Sequence, residues 1–245
     1  MLELKNVSYE VQNESSLQKK EILRNITMVI EDHTFVVITG PNGGGKSTLA
    51  KIIMGIEQPT SGRIFFDGKD ITNMDMTERA RLGIGFAFQQ PVRFKGLTIR
   101  QLLKMAAQKD LNTEQLCEYL SEVGLCAVDY INREMDGSLS GGELKRIEIA
   151  MLIARGVKLS LFDEPEAGID LWSFNNLIRV FEEIRDTHHG SVVIISHQER
   201  ILDIADKLIV VADGGITAEG SKDELLPSLL AGTQTCKFYQ REAVR

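Results

Sequence analysis

The stretch TFVVITGPNGGGKSTLAKIIMG, residues 34–55, changes its period in the middle. Phe35 to Ile38 is a short apolar run and reads as a buried strand. Lys46 onward carries helical spacing and stops near Gly55. Between them Gly40-Pro41-Asn42-Gly43-Gly44-Gly45-Lys46-Ser47 fits G-x-x-x-x-G-K-[ST]. Glycines at this spacing let main-chain N–H groups curl around phosphate oxygens, and the next helix turns its positive end toward them. Gly40 to Thr48 therefore reads as a triphosphate cradle. Lys46 is positioned to bridge the β- and γ-phosphates and Ser47 to ligate Mg²⁺.

Outward from that loop, other strands end in chemistry. Leu159-Ser160-Leu161-Phe162 runs into Asp163-Glu164. Ligand sites of open α/β sheets gather at such strand ends. Asp163 suits the Mg²⁺ shell, and Glu164, one residue on, can point at a water in line with the γ-phosphate. Val192 to Ile195 ends in Ser196-His197, where the imidazole can donate to that phosphate. Gln89 follows a further apolar strand, and its carboxamide can ligate Mg²⁺ and hold the attacking water.

Residues 138–156, SLSGGELKRIEIAMLIARG, open a helix with the Ser140/Glu143 capping box, yet Gly141 and Gly142 occupy its first turn. Glycine there costs up to about 1 kcal/mol relative to alanine. A second anion-binding helix start accounts for it. A head-to-tail pair of copies reconciles two phosphate sites in one chain: Ser140, Gly141 and Gly142 of one copy cover the nucleotide of the other. Missing Cβ atoms let the main chain approach.

The chain has 245 residues and reads as one domain with a subdomain. The first 70 residues are β-rich, with Asp67-Gly68 a hairpin-type turn and residues 13–20 an exposed loop. Residues 98–124 read as helical, with an Asn112/Gln115 capping box. Residues 91–138 form an inserted helical block. Alternating strands and helices from 157 to 212 imply parallel strands with helical crossovers. The net charge of −7 argues against a nucleic-acid footprint over the whole surface. Arg93, Lys95, Arg100, Lys104 and Lys109 read as a solvated face or a docking surface. Apolar runs are too short to span a bilayer, and the N-terminus shows no signal-peptide pattern. The expectation is a cytoplasmic chain without membrane insertion of its own. Cys117, Cys126 and Cys236 lack metal-site spacing and read as reduced thiols. His188 and His189 read as the end of a helix, without chemistry, and Trp172 as packing.

LSGGE (139–143), the phosphate loop, Gln89, LFDEP (161–165), AGID (167–170) and Ser196-His197 together resemble the ATP-binding cassette (ABC) ATPases, in the family's order over residues 2–220. The resemblance implies an ABC-type P-loop α/β fold with a mixed sheet core, an N-terminal antiparallel β subdomain and an inserted helical subdomain. Residues 1–90 and 139–220 would form the core, 91–138 the helical subdomain and 221–245 a tail. It implies an Mg²⁺-dependent ATPase in which two copies sandwich two ATP, with Asp170 in the loop crossing between them. Many family members stack an aromatic side chain on adenine where this chain has Val11. Strand alternation puts Tyr9 on the same face as a substitute. Val11, ILRNITMVI (22–30), AFQQPV (87–92), SGGELKR (140–146) and HQERILD (197–203) resemble the SufC-like ATPases of iron–sulfur cluster assembly. FDEPEAGID (162–170) resembles especially their shorter archaeal and anaerobic bacterial members. That resemblance implies a SufB-type scaffold as partner. The ATP-binding subunit of an ABC transporter shares every motif and differs in its partner. A non-hydrolytic nucleotide-binding module is opposed by the intact Lys46, Glu164 and His197.

Overall fold

The computed structural model of the chain describes residues 1–12, 19–187 and 190–232. His188, His189, Cys236 and most of the expected 13–20 loop lie outside the described residues. In chain order the elements are β1 (Leu2–Gln12), β2 (Lys19–Ile30), β3 (Phe35–Thr39), α1 (Lys46–Met54), β4 (Ser61–Phe66), β5 (Lys69–Asp70), α2 (Met76–Arg81) and β6 (Ile84–Ala87). There follow β7 (Phe94–Thr98), α3 (Ile99–Ala107), α4 (Thr113–Glu122), α5 (Ala127–Tyr130), β8 (Glu134–Met135) and α6 (Gly141–Arg155). The chain continues through β9 (Leu159–Asp163), α7 (Leu171–Thr187), β10 (Ser191–Ile195), α8 (Glu199–Asp203), β11 (Lys207–Ala212), β12 (Gly215–Ser221) and α9 (Lys222–Gly232).

A six-stranded sheet runs β12-β11-β3-β10-β9-β6, and a four-stranded antiparallel sheet runs β2-β1-β4-β5. In the larger sheet β11, β3, β10, β9 and β6 pair in parallel, while β12 pairs antiparallel to β11. Successive residues of β3 enter opposite cores. Phe35 and Val37 join the cluster shared with α6 and α7, and Val36 and Ile38 join the one shared with α1 and the antiparallel sheet. A parallel strand covered on both faces must be apolar at every position, and β3 is wholly buried.

The helical reading of 98–124 resolves into α3 and α4, separated at Gln108, which adopts φ +54°. The Asn112/Gln115 capping box forms at the start of α4. A two-stranded pair, β7 with β8, braces the same block. Residues 222–232 of the expected tail are instead the helix α9. Leu225, Leu226 and Leu229 pack against the main core, which explains why the segment is ordered.

Arg79 of α2 is fully buried beneath the phosphate-loop helix. Its guanidinium donates to the Ile52 and Ile53 carbonyls at 2.6 and 2.9 Å, to Met74 O at 3.0 Å and to Thr72 O at 3.0 Å. Those first two carbonyls lie in the last turn of α1, where a cation suits the helix dipole. Burial holds the Arg79 pKa down at about 10, which still leaves it charged at neutral pH. Arg79→Ala removes the guanidinium donor from four carbonyls, two of them in buried contacts. We expect a loss of about 3 kcal/mol or more in urea unfolding with an unchanged m-value, and Arg79→Lys recovers only part, since one ammonium cannot match the guanidinium fork.

Candidate functional site

The pairing β3-β10-β9-β6 sets four motif-bearing loops side by side at one end of the sheet. Ile38 pairs with Ile195, and Ile195 with Asp163. The phosphate loop leaves β3, Asp163-Glu164 ends β9, Ser196-His197 follows β10 and Gln89 follows β6. Gly40 has φ +133°, and a Cβ there would fall 2.1 Å from Val211 O. The loop needs glycine at this point because it turns directly against β11.

Lys46 is buried, and its ammonium donates to Gly40 O at 2.8 Å and Pro41 O at 2.9 Å. The charge is thereby held over the loop rather than in solvent. Ser47 Oγ donates to Asp163 Oδ1 at 3.2 Å. Burial raises the Asp163 pKa, opposed by the Ser47 hydrogen bond and by Lys51 and Lys145. Gln89 Nε2 donates to Glu164 Oε2 at 2.6 Å, which leaves its carbonyl oxygen free to face a cation. Glu164 itself sits at φ +45°, a strained conformation for a side-chain-bearing residue, and its N–H is held by Ile195 O at 2.9 Å. Ser47, Asp163 and Gln89 supply hard oxygen donors, as Mg²⁺ requires. Among the described residues no group of three or more His, Cys, Asp or Glu gathers.

Ser140 caps α6, its Oγ accepting from Glu143 N–H at 3.3 Å while Glu143 accepts from Ser140 N–H at 2.6 Å. Tyr130 OH donates to the other Glu143 oxygen, anchoring the turn to α5. Gly142 has a reason inside its own chain: a Cβ there would lie 2.5 Å from Ser173 Cβ and 2.6 Å from Ser173 Oγ. Ser173 cannot retreat, because Asp170 holds its N–H at 3.0 Å and its Oγ at 2.7 Å. Asp170 therefore acts within the chain as the cap of α7. Gly141 lines a surface cleft with Gln89, Arg93, Lys145 and Gly168, whereas residues 40–48 line no part of it. Gln89 thus shares this cleft with the glycine-bearing helix start, and the phosphate loop does not.

Reasoning from sequence missed three residues. Lys145 is buried on α6, and its ammonium donates to Phe88 O at 2.8 Å and Gln89 O at 2.5 Å. Glu148, also buried and one turn on, accepts from Val92 N–H at 3.2 Å, while its Oε2 has no partner. Together they pin both ends of the glutamine loop to α6. Their signal was present: charged residues three apart on an otherwise apolar helix face. Glu166 accepts from Ser196 Oγ at 2.5 Å, and Ser196 Oγ accepts from Gln198 N–H at 3.0 Å, so Glu166 braces the turn carrying His197.

One expectation is corrected. Trp172 does not pack; it is 80% exposed. The Tyr9 hydroxyl donates to Glu57 at 2.7 Å, which pushes its pKa up to about 12.

The family model described as ABC transporter matches residues 23–167. An uncharacterized ABC transporter ATP-binding protein of Methanocaldococcus jannaschii is 39% identical, over 84% of this chain and 85% of its own length. The lipopolysaccharide export ATP-binding protein LptB of Haemophilus influenzae is 29% identical, over 86% and 89%. A solved ATP-binding cassette, dimeric in a post-hydrolysis state bound to ADP and Pi, superposes with a TM-score of 0.78 at 26% identity, over 91% of this chain and 99% of its own. None of these relatives is named for iron–sulfur cluster assembly.

Two outcomes follow from the packing. Gly142→Ala should lose about 1–3 kcal/mol by overpacking, and Ser173→Gly should relieve most of that loss in a double-mutant cycle of unfolding free energies. Burial pushes the Glu148 pKa up to about 7, with Lys145 opposing. The folded chain therefore binds this proton more tightly than the unfolded one. The Glu148 contribution falls as pH rises from about 4.3 to about 7, by up to about 3 kcal/mol. Glu148→Gln should flatten that part of the stability–pH curve while keeping the acceptor for Val92.

Proposed function

Because the chain belongs to the ABC transporter family, we propose that it is the ATP-hydrolysing subunit of a two-copy motor that works on a partner protein. The reaction is hydrolysis of ATP to ADP and phosphate with Mg²⁺. One observation carries the two-copy reading. The strand ends bear the phosphate loop, Asp163-Glu164 and His197, while the start of α6 lines a cleft with Gln89 that residues 40–48 do not line. A second copy completes the site.

In this reading the loop N–H groups, Lys46 and His197 hold the transferring phosphoryl group. Ser140 and Gly142 of the other copy close over it, Ser140 offering its hydroxyl proton because its Oγ already accepts from Glu143. Ser47, Asp163 and Gln89 hold Mg²⁺, which neutralises charge on the β- and γ-phosphates. Glu164 takes the proton of the attacking water. Its Oε2 is engaged by Gln89, so release of that hydrogen bond frees the base. Lys145 and Glu148 tie the glutamine loop to α6, and that tie makes release depend on where α6 stands, together with the helical block packed on it.

The relatives' names favour a membrane permease as partner. Among the described residues no helix is long and apolar enough to cross a membrane, so the span would belong to that partner. Phe88, Val92, Phe94 and Met105 expose apolar surface beside the glutamine loop and line one groove of about 330 Å³, a suitable dock. A second reading, a SufB-type scaffold as partner, is favoured by SGGELKR, HQERILD and FDEPEAGID.

Glu164→Gln should bind ATP, hydrolyse it about 10²–10⁴-fold more slowly and accumulate as a closed pair in a phosphate-release and sedimentation assay. Wild-type turnover in that variant would remove Glu164 from the mechanism. Tagged chain purified from native membrane and soluble fractions separates the partners: an integral membrane protein supports the transporter, and a soluble β-rich scaffold supports the second reading.

A further inference from the structure

Leu171 and Trp172 are 70% and 80% exposed, two consecutive large apolar side chains at the start of α7. Disorder does not account for that exposure. Asp170 Oδ1 accepts from the Trp172 N–H at 2.9 Å and the Ser173 N–H at 3.0 Å, and its Oδ2 accepts from Ser173 Oγ at 2.7 Å. The start of α7 is also pressed against the start of α6, where Ser173 fills the space a Gly142 Cβ would need and Gly168 O lies 3.2 Å from the Cβ position of Gly141. The start of α6 and the 167–173 segment that carries Leu171 and Trp172 are therefore packed side by side.

We infer that Leu171 and Trp172 are an apolar anchor of the contact between two copies of this chain, buried when the ATP-loaded pair closes. The inference rests on the two-copy reading above and adds to it a surface that touches no nucleotide. The occupant follows from continuity: the neighbouring Ser140–Gly142 start must meet a second copy if it is to cover a phosphate, and Trp172 precedes Ser173, which packs on Gly142. In a two-fold pair each such side chain counts twice. Tryptophan in the desolvated centre of an interface dominates its energy.

Trp172 is the chain's single tryptophan, so it reports on itself. In full-length Glu164→Gln with Mg-ATP, its emission should shift to the blue and resist acrylamide quenching, and the shift should follow protein concentration rather than ATP alone. Trp172→Ala in that background should weaken pairing at least about 10-fold in sedimentation, with ATP binding by the dilute single copy retained. Trp172→Phe should restore most of the pairing. If the pair forms while the emission stays unchanged, or if Trp172→Ala pairs as tightly, the anchor is refuted and the two-copy reading stands. If Glu164→Gln forms no pair with Mg-ATP, both fall.

Discussion

The main-chain hydrogen bonds that lock β3, β10, β9 and β6 into one parallel register are the constraint on which the site depends. Because Ile38 pairs with Ile195 and Ile195 with Asp163, the loops leaving those strands must emerge together. A one-residue slip would turn every side chain of a strand to the opposite face. Here both faces are buried by separate apolar clusters, so a slip would also mismatch two cores at once. Phosphate loop, carboxylates and histidine are placed by strand pairing, and their own side-chain contacts only refine the result.

Polar groups buried against this framework do the positioning. Arg79 closes the far end of the phosphate-loop helix by meeting carbonyls in its last turn. Lys145 and Glu148 hold the main chain of the glutamine loop at Phe88, Gln89 and Val92. Each lies where an unpaired charge would be costly, and each spends hydrogen bonds on the backbone of a functional segment. The helical block, which packs on α6 through α3 and α4, is thus connected to Glu164 by a short chain of contacts: α6, Lys145, the loop carbonyls, Gln89, Glu164. A shift of α6 reaches Glu164 through four residues.

The face formed by the starts of α6 and α7 has the opposite character. It is capped twice over by Ser140 and Asp170, and it leaves Leu171 and Trp172 in solvent. Exposed apolar surface beside a glycine-bearing helix start is the form expected of half an interface. In this reading ATP contributes by bridging two such faces, and its hydrolysis removes the bridge.

Most of the fold was legible in the residues. The switch from apolar run to glycine loop to helical spacing at 34–55, the capping boxes at Asn112 and Ser140, and the strand–helix alternation after 157 are local signals, written within a few residues of where they act. The residue types of the site were legible for the same reason, since phosphate-cradling glycines and strand-end carboxylates occur in short runs. Tertiary structure alone decided the contacts between distant segments. Gly142 answers to Ser173 inside its own chain as well as to any foreign phosphate. Tyr9 is taken by Glu57, and Gln89 holds Glu164. Lys145 and Glu148 reach across to the glutamine loop, α9 is ordered by the core it packs on, and Trp172 stays out of the core. Side-chain spacing along the chain carries no information about which two segments the sheet will bring within hydrogen-bonding distance.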